Sequence, residues 1–129
     1  MNPLELLLVM VGGGVGAALR FLLDGLVKAR VARTRLRALP VGTLVINVTG
    51  SLVLGFLTGL AQAGTIPVST VAVLGTGMMG GYTTFSTASV ETVQLLRSGT
   101  TRLAVLNGLG MLVVSVGAAA LGLWLGRNS

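Results

Sequence analysis

The stretch GTGMMGGYTTFSTASVE, Gly75 to Glu91, decides how the chain is read. It lies inside an apolar segment running from Val68 to Leu96, yet it holds four glycines, six serine or threonine hydroxyls and a carboxylate. In a soluble protein this would be a loop. In an apolar setting it marks a place where backbone and polar side chains are concentrated for a purpose, so the character of the surrounding chain has to be established first.

That character is membrane-like. Of the 129 residues, 53% are hydrophobic and only 9% are charged, and the mean hydropathy is +0.93, outside the usual range of soluble domains. Four stretches approach the roughly 20 apolar residues that a bilayer-spanning helix needs: residues 4–23, 41–60, 68–96 and 103–125. The expected fold is therefore an all-α membrane protein, with residues 1–129 forming a single four-helix transmembrane domain. The first stretch lacks a basic leading region and runs through glycines to Arg20 without a convincing cleavage site, so it reads as a retained helix. There is no cysteine and no histidine, which removes disulfides, thiolate chemistry and the commonest metal ligand and general base. No enzymatic activity is expected.

The net charge of +6 and the run KARVARTRLR, Lys28 to Arg37, resemble a nucleic-acid footprint. Beside long apolar spans the same run fits a cytoplasmic loop lying against anionic lipid headgroups, and nucleic acid is not an expected partner. With four spans, Lys28, Arg30, Arg33, Arg35, Arg37, Arg97 and Arg102 fall on one side and only Arg127 on the other. The positive-inside rule then turns both termini away from the cytoplasm and fixes one orientation.

Within the spans, Gly12 and Gly16, and Gly55 and Gly59, have the small-xxx-small spacing that lets helices approach closely. Four short helices with so little polar material do not enclose a conduit alone, so an oligomer is expected. An ionisable residue inside a span is costly unless it is paired or wetted. Glu5 and Asp24 fall at the ends of the first helix, where snorkelling or capping accounts for them. Arg20 lies a turn inside that end and serves equally as a snorkelling cation or as a fixed positive charge at the mouth of a pathway. Asn47 carries an amide deep into the second helix, for an interhelical hydrogen bond or as a lining donor. Glu91 lies four residues from Thr87 and seven from Thr84, close to one helical face, as part of a polar track.

The opening stretch is now legible. Gly75, Gly77, Gly80 and Gly81 disfavour an uninterrupted helix, and Thr83, Thr84, Ser86 and Thr87 supply hydroxyls to the freed backbone groups. The spacing predicts a third helix broken near mid-membrane, the arrangement that binds ions through half-helix ends. The basic balance favours an anion.

The sequence closely resembles the small fluoride channels called Fluc or CrcB. GGGVGAALR (Gly12–Arg20), PVGTLVINVTG (Pro40–Gly50) and GGYTTFSTASVE (Gly80–Glu91) look like that family's first-, second- and third-helix motifs, in order and at the right spacing. The resemblance implies a fluoride-selective passive channel in a bacterial plasma membrane that protects the cell by exporting fluoride. The functional unit would be an antiparallel dimer whose subunits insert in opposite orientations. It implies a structural sodium ion at the dimer centre, held by the backbone carbonyls of Gly80 and Thr83 from each subunit. Along the fluoride pathway it implies Asn47, Thr84, Phe85 and Ser86, Arg20 in the vestibule, and Glu91 and Ser115 in a polar track. A narrow pore of preplaced donors, among them the positive edge of a phenyl ring, suits dehydrated fluoride and disfavours chloride. Whether Tyr82 lines the pathway or packs beside it is left open by the sequence.

Two positions depart from the family pattern: Ala88 stands where a second phenylalanine is usual, and Ala119 replaces a hydroxyl one turn past Ser115. Together with the one-sided charge, these departures predict one half of a heterodimer with an oppositely inserted paralogue, the homodimer being the alternative. A small multidrug-type antiporter is also a four-helix chain that pairs antiparallel, but it needs a carboxylate and aromatic residues at mid-membrane. Here the centre of the first helix is VGGGVG and the aromatic content is 4%. A non-conducting assembly partner is the remaining rival, and it would tolerate Asn47→Ala.

Overall fold

The computed structural model describes residues 2–129, and among them there are helices and no strands. Helix α1, Pro3–Val31, starts where the Asn2 side-chain oxygen Oδ1 accepts from the Glu5 N–H at 2.8 Å, with Pro3 in the position that has no donor to lose. Its 29 residues reach about 44 Å at ~1.5 Å per residue, well beyond a hydrocarbon core of roughly 30 Å. The expected end near Leu23 is thus too early by eight residues. Nothing after Leu23 stops a helix, and an ion pair between Lys28 and Asp24, 2.8 Å at i,i+4 spacing, supports the extra turns. Asp24 is therefore well inside the helix instead of at its end. Thr34 terminates it: its hydroxyl donates to Val31 O at 2.8 Å, accepts from Leu36 N–H at 3.1 Å, and leads into a 3-10 turn over Arg35–Ala38.

Helix α2, Val41–Gln62, follows Pro40, its N-cap residue. It closes on Gly64 at φ 79°, with Gly64 N–H on Ala61 O and Thr65 N–H on Leu60 O, the paired bonds of a Schellman motif. Past Pro67 the chain forms a turn of helix, α3 (Val68–Thr70), then a π-helix over Val71–Met79, a further turn, α4 (Gly80–Tyr82), and helix α5 (Phe85–Arg97). Gly99 at φ 83° ends α5 with the same Schellman pairing, Gly99 N–H on Leu96 O and Thr100 N–H on Leu95 O. Helix α6, Thr101–Arg127, completes the chain.

Helices α1, α2 and α6 are each long and apolar enough to cross a membrane, with mean hydropathies of 2.1, 1.9 and 2.0. The chain is an all-α, multi-pass membrane protein. Helices α2 and α6 lie in close contact through glycines, as the small-residue spacing predicts: Gly55 faces Ala119 O, Gly59 faces Leu123 O, and Gly122 and Gly126 face Leu52 O and Phe56 O. On the other side, Gly12 and Gly16 of α1 lie against the backbone of Val73, Met78 and Tyr82. The small core of Ile46, Met79 and Tyr82 lies between these pairs. At one end of the molecule, the α1–α2 connection and the last turns of α5 line a common cavity, which puts the basic loops side by side. At the other end, α2 and α6 finish together at Gly59 and Arg127. Residues 68–97 therefore run from one end of the molecule to the other.

Candidate functional site

The site is built on the interruption after Tyr82. The π-helix, with its wide i→i−5 turns, lets Val9 of α1 come up against Gly77, and it closes with the Gly80 N–H on Gly75 O and Gly77 O. One α-turn later Thr83 sends both its N–H and its hydroxyl to the same acceptor, Met79 O, at 2.9 and 3.0 Å. The backbone then goes extended, with Thr83 at ψ 157° and Thr84 at φ −146°, ψ 118°. Thr84 restarts the helix as the N-cap of α5, its hydroxyl accepting from Thr87 N–H at 3.2 Å.

Asn47 of α2 holds this extended pair. Its side-chain oxygen accepts from Thr84 N–H at 2.8 Å, and its amide nitrogen donates to Thr84 O at 2.9 Å. One side chain thereby satisfies both polar groups of a backbone residue that no helix serves, as buried backbone in an apolar setting requires. The remaining Asn47 N–H points to Met111 Sδ of α6 at 3.3 Å. These diversions free two carbonyls. In an unbroken helix Thr84 N–H would serve Gly80 O and Thr87 N–H would serve Thr83 O; here they go to Asn47 and to the Thr84 hydroxyl.

Beside the interruption lies an open cavity of about 570 Å³ lined by Asn47, Thr84, Phe85, Ala88, Met111 and Ser115, among others. The Ser115 hydroxyl oxygen is buried and has no hydrogen-bond partner among the described residues. Phe85, the first residue of α5, is 87% exposed, so one wall of the cavity faces away from the rest of the chain.

The residues expected from the sequence divide accordingly. Asn47, Thr84, Phe85 and Ser115 come together in this cavity. Ser86 is exposed on the first turn of α5, with its hydroxyl 3.4 Å from that of Thr84. Glu91 lines a different cavity, of about 530 Å³, with Lys28, Gly42, Gln94 and Ser98, and its carboxylate accepts from the Thr43 hydroxyl. Arg20 is half-buried on α1 and lines neither cavity. Gly80 is exposed, and a Cβ built on it would meet nothing within 4 Å; Thr83 is half-buried, with its methyl against Gly50. Tyr82, whose part the sequence leaves open, is packing: it is buried and its hydroxyl bonds to that of Thr49 at 2.9 Å.

Two contributors escaped the sequence reading. Thr43 precedes Asn47 by four residues and so shares its face of α2, a spacing that marks it in hindsight. Met111 precedes Ser115 by four on α6 in the same way, but a methionine on an apolar helix carries no polar signal.

Residues 7–123 match the family model described as "CrcB-like protein, Camphor Resistance (CrcB)". A Leifsonia xyli subsp. xyli protein named fluoride-specific ion channel FluC 1 is 50% identical over 126 residues, which cover 98% of this chain and 89% of that one. A Streptomyces avermitilis protein, also named FluC 1, is 42% identical over 118 residues, 92% of each chain. A Mycobacterium tuberculosis protein named FluC 2 is 55% identical over 53 residues, 41% of this chain and 39% of that one.

Proposed function

The chain belongs to the CrcB-like family, and from that premise we propose that it forms a fluoride-selective passive channel through which the cell exports fluoride. The observation that carries the proposal is the cavity beside the Thr83–Thr84 interruption, where Asn47, the rim of Phe85 and the unpartnered Ser115 hydroxyl meet. Fluoride is small and tightly hydrated, so an apolar passage admits it only where donors already stand in place of its water. An amide N–H, a hydroxyl and the positive edge of a phenyl ring are such donors. Arg20 and Glu91, away from this cavity, act in the vestibule and in the polar approach. No catalytic step is involved.

The same reading makes residues 68–97 the fourth span, broken near mid-membrane, in the plasma membrane of a bacterial cell with both termini outside. Its support is the course of this segment from one end of the molecule to the other. A structural sodium ion fits the residues present. Gly80 O and Thr83 O have lost their helical donors, neutral carbonyls of this kind suit a hard cation, and Gly80 stands at an open surface where a second subunit would bring two more. Bound there, sodium supplies a positive charge that holds the two interrupted segments together. The antiparallel dimer is the unit of function because one wall of the cavity is open at Phe85 and Ala88. The one-sided charge, Ala88 in place of an aromatic residue, and relatives with numbered names, FluC 1 and FluC 2, favour a heterodimer with a paralogue inserted the other way.

Fluoride efflux from liposomes, read with a fluoride electrode, tests the function. Co-reconstituted with its paralogue, the chain is expected to release fluoride far faster than chloride, and alone to release little. Rapid efflux from the chain alone would replace the heterodimer by a homodimer. No fluoride-selective efflux in either preparation would overturn the channel.

A further inference from the structure

We propose that the Met111 thioether is the resting acceptor for the one Asn47 N–H that is free to donate a hydrogen bond to fluoride, and that it thereby sets how tightly the cavity holds fluoride. The inference rests on the fluoride reading of the same cavity and adds a residue that determines its affinity and selectivity.

The Asn47 amide offers one acceptor and two donors. The acceptor is committed to Thr84 N–H at 2.8 Å and one donor to Thr84 O at 2.9 Å, both backbone groups that have no other partner in the interruption. Neither can be released to an ion without undoing the backbone. The second donor is different: its partner is Met111 Sδ at 3.3 Å, and a thioether is a weak acceptor. Met111 is only 7% exposed and lines the cavity, so in the resting state this proton is covered but poorly satisfied. A stronger acceptor entering the cavity displaces the sulfur. Methionine has three rotatable bonds, so the thioether can swing aside without moving α6. One turn along the same helix the unpartnered Ser115 hydroxyl stands ready as a second donor.

The exchange is selective because it is a competition. Fluoride, a compact and strong acceptor, gains much by replacing sulfur; chloride, larger and weaker, gains little. Strengthening the resting acceptor must therefore weaken fluoride binding, and deleting it must strengthen binding. A role in packing alone predicts no such opposition of sign.

The test is a sodium fluoride titration of ¹⁵N-labelled protein in detergent micelles, with its paralogue present where assembly needs it and sodium chloride as the control. The Asn47 side-chain NH2 signal is assigned through Asn47→Ser. Fluoride, and not chloride, is expected to move one of the two amide protons. Met111→Leu, close in volume but without an acceptor, should lower the half-saturating fluoride concentration about threefold to tenfold, the scale of a modest hydrogen bond. Met111→Gln, which presents a carbonyl, should raise it by a similar factor. Midpoints that move together, or stay where they are, overturn the inference, as does an Asn47 signal indifferent to fluoride. Efflux measured in parallel separates the two readings. Efflux without the Leu–Gln opposition retains the channel and discards the role of Met111. The opposition without efflux retains the Met111 exchange and discards the channel.

Discussion

Replacing Asn47 by alanine removes both partners of Thr84 at once and leaves a backbone N–H and C=O unpaired in an apolar site. Each unsatisfied buried group costs about 1–3 kcal/mol, so Asn47→Ala is expected to lower the unfolding temperature in detergent clearly and to abolish fluoride efflux. Near-normal thermal stability would show that the amide does not hold the interruption. Thr83 is the opposite case, because its hydroxyl returns to Met79 O and only its carbonyl is free for a ligand. Thr83→Ala should therefore leave the sodium dependence of dimerisation, followed by size-exclusion chromatography in sodium against a large organic cation, essentially unchanged. Loss of that dependence with the dimer intact would sink carbonyl ligation. At this scale the sequence marked polar residues that the fold brings together, Asn47, Thr84 and Ser115, but not their partners. Asn47 in an apolar helix announces an unusual hydrogen bond, whereas its target, a backbone residue 37 positions away, is set by tertiary approach.

The four glycines that the sequence offers as the break lie inside continuous π- and α-helical turns, and the extended residues are Thr83 and Thr84 just beyond them. The π-helix was not legible either, since no residue type encodes an i→i−5 ladder, and it is visible only once α1 is seen pressed against Gly77. Helix ends were misjudged for a related reason. Hydropathy falls at Asp24 and Lys28, but hydrogen bonding does not, and α1 continues until Thr34 diverts its last carbonyl. Glu91 shares a helical face with Thr84 yet lies seven residues on, about 10 Å along the axis at ~1.5 Å per residue, and this carries it to the cavity at the loop end. The glycine pairs Gly12/Gly16 on α1 and Gly55/Gly59 on α2 do lie at close helix contacts. Gly122 and Gly126 of α6, which face the second pair's helix, were not singled out from the sequence, and α6 supports a contrast on one helix. A Cβ on Gly122 would run into the Leu52 carbonyl, which is backbone and cannot swing away, while one on Gly117 meets nothing within 4 Å. Gly122→Ala is expected to cost about 1–3 kcal/mol, the usual range for overpacking. Gly117→Ala should be neutral or slightly stabilising, since alanine favours a helix by up to ~1 kcal/mol over glycine. Equal thermal shifts for the two variants in detergent would contradict the close α2–α6 contact.

Seen whole, the molecule presents large apolar faces with most of its cations gathered at one end. Phe21, Phe85, Val68 and Val113 are all more than two-thirds exposed, and the spanning windows of α1, α2 and α6 are only 6 to 17% buried within the chain. Lipid is what such surfaces meet, and the sequence made that plain from composition alone, because burial in 129 residues cannot cover so much apolar area. What composition could not give is which end faces the cytoplasm. The basic α1–α2 connection and the end of α5 stand together, so their charges act as one determinant, and the proposed orientation keeps that end in the cytoplasm by the positive-inside rule. Because the chain has no cysteine, a single Asn128→Cys, exposed after α6, reports orientation without background. In intact cells nearly all copies should react with a membrane-impermeant maleimide. Changing Arg33, Arg35, Arg97 and Arg102 to glutamine, all exposed at the basic end, should shift a substantial fraction to the protected orientation. If about half of the unmodified copies are already protected, the chain inserts both ways. An antiparallel homodimer then needs no paralogue, and the charge asymmetry loses its meaning.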